Sequence, residues 1–220
     1  MDSEEEAETM KPAKVDPRVQ RTRRLLREAL VQLTEERGLD GFSVQELADR
    51  ATVKRATFYL HYEDKQALLA DYIAELLEEL RVAVFDPGGQ PPDYDYASGE
   101  PHPSFVRLFR HLAERYDVYH ALLVRRRVPE LAAGMLEVVR QFVAEGLAFA
   151  QPDDRLLTAR RDVTLKYTEA AYVEVIIWWI EQQMPYAEKE IAAQLMDLSI
   201  FGPYRELPAW AGSGREKTSG

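Results

Sequence analysis

Apolar residues recur along this chain at three- and four-residue intervals, the spacing of one helical face, and almost nowhere at the two-residue interval of a strand. Leu25, Leu26, Ala29, Leu30 and Leu33 form the first such series. Pro17 precedes it and is suited to open a helix, because the first turn has no use for its N–H. Gly38 follows it and suits the left-handed backbone that ends a helix. Arg18, Arg21, Arg23, Arg24 and Arg27 lie before or between the apolar positions.

The next start signal is sharper. Ser43 followed by Glu46 forms a capping box, and Phe42 with Leu47 supplies a hydrophobic staple around it. A second helix is predicted over Val44 to Arg50, a turn at Thr52 and Val53, and a third short helix to about Leu60. Asp64 can cap a fourth, over about 64–82, whose buried face is Leu68, Leu69, Ile73, Leu76, Leu77 and Leu80. The stretch 86–103 is rich in Pro, Gly and Asp and reads as a long loop. Helical patterns resume over 104–115, 117–125, 129–149 (with Pro129 in its first turn), 153–183 and 187–201, with Pro185 as a stop. No internal repeat is visible. The expected fold is all-α: a three-helix helix-turn-helix domain over 15–64, then a larger helical bundle over 65–207. An acidic arm over 1–14 and a tail over 208–220 flank them.

Charge sharpens this division. The 220 residues carry a net charge of −10, yet the segment from Lys11 to Lys65 is net +3. A basic module on an acidic body fits a protein that meets phosphate at one end. There is no cysteine, which excludes disulfides, thiolate catalysis and cysteine-based zinc sites. No apolar run reaches the length of a membrane span. The acidic, polar N-terminus is unlike a signal peptide, so a cytoplasmic location is expected.

Phe42 to Leu69, FSVQELADRATVKRATFYLHYEDKQALL, has the layout of a DNA reader whose second helix enters the major groove. Lys54, Arg55 and Thr57 lie at the leading end of that helix. Lys or Arg matches the two acceptors of guanine, and Thr can meet a thymine methyl. Phe58 is expected to pack with Leu47, Ala48 and Val53. Tyr59 and His61 suit phosphate oxygens, and Lys65 is placed to hold another phosphate at the next helix start.

This stretch resembles the DNA-binding domain of TetR-family transcriptional regulators. The Ser43 cap, Leu47-Ala48, Val53, Thr57-Phe58-Tyr59, His61, Lys65 and Leu68-Leu69 carry the resemblance over about residues 17–70. It implies that Gln45, Lys54, Arg55, Thr57, Tyr59, His61 and Lys65 touch an operator in double-stranded DNA. Thr52 stands where the pattern usually has Gly, and Lys54 where it often has a capping Ser or Asn. The resemblance also implies a homodimer, a small-molecule inducer of unknown identity, and a repressor released from its operator by that inducer. Control by a protein partner is the alternative. The segment WWIEQQMPY resembles a subgroup of TetR-like C-terminal domains.

The helical body offers candidates for both tasks. Val173, Ile176, Ile177, Ile180, Ile191, Leu195 and Leu198 lie on helices apolar nearly all round, available to a two-fold partner or to the chain's own core. Phe105, Phe109, Tyr116, Tyr119, Phe142, Tyr167, Tyr172 and Trp178 are candidates for a ligand pocket or for core. Glu169 and Glu174 interrupt an apolar helix. They either face a cavity that takes a cationic ligand or pair with Lys and Arg of the body. The fourth helix is expected to couple the two functions.

Nothing points to an enzyme. There is no Gly-rich phosphate loop, no GxSxG elbow, and no metal-type spacing among His61, His102, His111 and His120. No catalytic residue, metal or cofactor is expected. Neither is a membrane partner.

Overall fold

The computed structural model describes residues 16–85, 94 and 99–202. The expected N-terminal arm, most of the 86–103 loop and the C-terminal tail lie outside the described residues. Those residues form α-helices with short 310 and π segments, and no strand occurs among them.

The chain divides into two compact units, residues 1–69 and 70–220. In the first, α1 (Pro17–Arg37) packs on α2 (Val44–Arg50), and α2 on α3 (Arg55–Tyr59). Asp16 caps α1 by accepting the Arg18 N–H at 2.8 Å, with Pro17 in the first turn. Gly38 closes it at φ 77°, a backbone open to glycine without penalty. Leu26, Leu30, Leu33, Phe42, Leu47, Ala48, Phe58 and Leu68 are buried together as the core of this unit.

α4 (Lys65–Val84) carries the boundary between the units within its length. Asp64 caps it through the Ala67 N–H at 2.7 Å. In the second unit α4 is followed by α5 (Pro103–Glu114), α6 (Tyr116–Tyr119), α7 (Pro129–Ala150), α8 (Arg161–Glu181) and α9 (Glu188–Phe201). α5 packs along α9 and α7 along α8. Ile73, Leu76, Leu80, Leu108, Phe109, Met135, Val139, Ile176, Trp179 and Leu195 fill the core.

Two expected helices are interrupted. The helix expected over 117–125 is only a turn of α6 followed by a π-helical segment, His120–Arg125. Wider closures such as Arg126 N–H to Ala121 O (3.1 Å) replace the α pattern there. The helix expected over 153–183 begins only at Arg161. Asp153 caps a 310 turn, Asp154–Leu156, through the Arg155 N–H. Arg161 then reaches back to Asp154 (2.5 Å) and to the Gln151 carbonyl (2.7 Å), pinning the connection as a loop.

Candidate nucleic-acid interface and apolar cavity

The reader is assembled by local hydrogen bonds. Ser43 N–H donates to Glu46 Oε2 at 2.8 Å, and Glu46 N–H to Ser43 Oγ at 3.2 Å. These reciprocal bonds satisfy donors that the first turn of α2 would leave bare. Arg37 of α1 adds a bond to Glu46 Oε1 at 2.8 Å. Together the Ser43 N–H and the Arg37 guanidinium draw the Glu46 carboxyl from 4.5 to about 2. Arg50 binds Glu36 through both terminal nitrogens, at 2.9 and 3.1 Å, so α2 is held to α1 at each end.

Between α2 and α3 the chain turns through Thr52 at φ 57°. Val53 N–H donates to Ala48 O at 2.9 Å across the turn. Lys54 is the N-cap of α3, and its side chain makes no capping bond. Both departures from the usual pattern therefore have structural counterparts.

Gln45, Lys54, Arg55 and Tyr59 are exposed, and Thr57, His61 and Lys65 half-buried. Phe58 is fully buried, as the apolar pattern requires. Arg55 lies over the Tyr59 ring, 5.5 Å from its centroid, and donates to its hydroxyl at 3.3 Å. Gln45 donates to Asp49 at 2.8 Å. Lys65 is engaged inside the unit: its Nζ donates to Leu39 O (2.7 Å) and Phe42 O (2.5 Å). It also lies 4.7 Å from the Phe42 ring centroid.

The second unit contains an apolar cavity of about 120 Å³ among α5, α7, α8 and α9. Phe105, Phe142 and Tyr172 line it, together with Gly146, Thr168 and Met196 among others. The three aromatic rings lie 4.9 to 6.4 Å apart, two of the three pairs edge-on. Tyr172 shares a 2.7 Å hydrogen bond with Ser199, and burial pushes its hydroxyl up to about 12.

The other pocket candidates lie elsewhere. Phe109 is fully buried against Trp179, with ring centroids 5.2 Å apart. Tyr119 is fully buried and hydrogen-bonded to His111 at 3.0 Å. Tyr116 stacks on His120. Tyr167 and Trp178 are 71% and 42% exposed. Glu169 is buried, but it pairs with Lys166 and, at 3.2 Å, with Arg140. Those cations hold its carboxyl below the usual range against the effect of burial. Glu174 is exposed. Neither carboxylate lines the cavity, which removes the basis for a cationic ligand there.

The partner-facing candidates also divide. Ile176, Ile180, Ile191 and Leu195 are buried within the chain's own core. Val173 and Ile177 are half-buried, and Leu198 is 49% exposed. The larger exposed apolar groups on α8 and α9 are Val163, Tyr167, Trp178, Leu198, Ile200 and Phe201. Sequence periodicity did not single out Val163, Ile200 or Phe201, and it cast the exposed Tyr167 and Trp178 as pocket candidates. It also missed His102, Ser104 and Gly146 for the cavity. His102 and Ser104 lie where a Pro-rich loop gives way to helix, and a lone helical glycine carries no pocket signal.

Two family models match this chain. The model described as bacterial regulatory proteins, tetR family, matches residues 26–72. The model described as transcriptional regulator C-terminal region matches residues 99–200. The uncharacterized HTH-type transcriptional regulator YxbF of Bacillus subtilis is 38% identical over 61 residues, 28% of this chain. That match spans only 16% of the relative's length.

Solved structures share the fold. The TetR transcriptional regulator from Streptococcus agalactiae superposes with a TM-score of 0.57 at 21% identity, covering 83% of this chain and 95% of that one. PfmR from Thermus thermophilus gives 0.56 at 21% identity, covering 83% and 100%. FadR from Bacillus subtilis, solved with stearoyl-CoA, gives 0.54 at 15% identity, covering 82% and 99%.

Proposed function

The chain belongs to the TetR family of DNA-binding transcriptional regulators, and we propose that it binds its operator as a homodimer and is released by a small-molecule inducer, acting as a repressor. The observation that carries the DNA reading is a capped helix-turn-helix that leaves Lys54, Arg55 and Tyr59 exposed at its second helix. Exposed cations at the head of a recognition helix meet guanine acceptors and phosphates in the major groove.

Support for pairing comes from the apolar surface of the last two helices. Val163, Tyr167 and Trp178 of α8, with Leu198 and Phe201 of α9, each expose 42–71% of their surface. Burying such a surface against its own copy is the economical route to a two-fold dimer. The dimer then presents two recognition helices to a two-fold-related pair of half-sites.

Support for an inducer comes from the cavity. A ligand alters operator affinity only through its different affinity for the binding and non-binding arrangements.

Selection of bound duplexes from random DNA tests the reading. A palindromic site is expected, with binding dependent on protein dimerisation. Arg55→Ala should lose about 1–3 kcal/mol at one base position and little on unrelated DNA. Recovery of no preferred sequence would sink the proposal.

A further inference from the structure

His102 is the one cavity-lining residue with an orphaned polar atom among the described residues. It is 5% exposed, and its Nε2 is buried without a hydrogen-bond partner. Its other nitrogen is committed. Nδ1 accepts the Ser104 N–H at 3.3 Å, which caps α5, and lies 2.6 Å from Ser104 Oγ. With Nδ1 accepting the Ser104 N–H, as the cap on α5 requires, the proton of the neutral ring is assigned to Nε2. Burial, reinforced by the Arg107 guanidinium, holds the imidazole below its ordinary range and keeps it neutral. The result is a buried N–H donor without an acceptor, in a residue that borders empty space. Buried donors are otherwise almost always satisfied.

Gly146 is a second, independent sign. It lies in the interior of α7, where glycine is one of the least favourable residues. A Cβ added there would meet no atom within 4 Å. Gly134, on the same helix, is different: its Cβ would fall 2.0 Å from Leu77 Cδ1. Close packing thus explains Gly134 and leaves Gly146 unexplained. Gly146 is half-buried and lines the cavity, and a side chain added there would enter open space.

The remaining lining sets the ligand's character. Among the described residues, no Lys, Arg, Asp or Glu lines the cavity, so a charged group there finds no counter-charge on them. Phe105, Phe142 and Tyr172 offer ring edges and faces to an apolar body. The volume of about 120 Å³ is close to that of cavities which hold a benzene ring, roughly 150 Å³.

We infer that this cavity takes a compact, uncharged molecule with an apolar body about one ring in size and a single hydrogen-bond acceptor, and that His102 Nε2–H recognises the acceptor. The inference rests on reading the cavity as the inducer site and names the chemistry of its occupant. His102 sets the polarity of the ligand. Gly146 sets its size.

Calorimetric titration of the full chain with acetophenone, ethylbenzene and benzoate tests this. Acetophenone has the acceptor, ethylbenzene has nearly the same shape without it, and benzoate adds a charge. Acetophenone should bind about tenfold more tightly than ethylbenzene, and benzoate more weakly than either. In His102→Asn the advantage of acetophenone should vanish. Asparagine keeps the cap on α5 but is too short to present the donor. Gly146→Leu, which fills the space, should weaken acetophenone and ethylbenzene alike. Equal binding of those two to the unchanged protein, tighter binding of benzoate, or no binding of acetophenone overturns the inference. Operator affinity is read separately. Acetophenone selectivity that depends on His102, with operator affinity unaltered, upholds the cavity chemistry and removes only the inducer reading.

Discussion

Lys65 Nζ donates to the Phe42 carbonyl at 2.5 Å and to the Leu39 carbonyl at 2.7 Å, so the cation at the start of α4 closes the connection between α1 and α2. Sequence alone casts Lys65 as a phosphate contact; its geometry adds a duty within the unit. Lys65→Ala strips two carbonyls of a charged donor. It should cost about 1.5–3 kcal/mol, seen as a lower urea midpoint. Arg55→Ala, whose exposed side chain meets Tyr59, should leave that midpoint within about 0.5 kcal/mol of its starting value. Similar losses for both would refute the division of roles.

The capping box gives the first unit a defined response to acid. The Glu46 carboxyl titrates at about 2 in the folded chain, below its ordinary 4.5. A depressed folded value means that the unfolded chain takes up the proton first as pH falls. The stabilisation is therefore complete above about pH 4.5 and drains away toward pH 2. In Glu46→Gln this part of the acid sensitivity should disappear. Urea midpoints measured across that window, in both proteins, report it. Ser43→Ala at neutral pH should cost about 1 kcal/mol.

Thr52 holds a left-handed backbone at φ 57° although its β-carbon is branched. Such residues are strained there by about 1–2 kcal/mol, and glycine is not. Part of the relief is offset by the greater freedom of glycine in the unfolded chain. Thr52→Gly should raise stability by roughly 0.5–1 kcal/mol, read as a higher melting temperature. A lower one would mean that the threonine side chain contributes more than the turn costs.

Glu169 is buried while its partners are largely solvated: the Arg140 and Lys166 side chains are 47% and 70% exposed. Removing the carboxylate leaves Arg140 paired with Glu137 at 2.6 Å and lets Lys166 return to water. Removing the cations strands a buried charge. Glu169→Gln should therefore be mild, within about 1 kcal/mol, and the double change Arg140→Ala with Lys166→Ala should cost about 2–3 kcal/mol. Equal effects in denaturant titrations would contradict this asymmetry.

The two helical glycines of α7 should respond in opposite directions. Gly134→Ala drives a methyl into Leu77 and should cost about 1–3 kcal/mol. Gly146→Ala enters open space and should gain about 0.5–1 kcal/mol from helix propensity. Thermal unfolding of the two variants separates them.

The reader was legible because its signals are local. A cap at Ser43, its answering Glu46 and the buried Phe58 follow from spacing that any copy of the motif must respect. The body was legible as helices but not as surfaces. α8 is apolar nearly all round, so periodicity could not say that Trp179 faces inward and Trp178 outward, or that Ile176 and Ile180 serve the core. The break before Arg161 depends on Arg161 reaching Asp154 and Gln151. The cavity depends on the junction of four helices. Neither relation leaves a trace in residue spacing.

The adjacent tryptophans have an optical corollary. Trp179 is sealed from water with its indole N–H donated to Tyr186 O at 3.0 Å, while Trp178 is 42% exposed. With Trp210 changed to phenylalanine, iodide should quench the fluorescence of one indole and spare its neighbour. On the proposed pairing through α8 and α9 the quenchable component should fade as concentration rises, which makes Trp178 an optical test of that pairing.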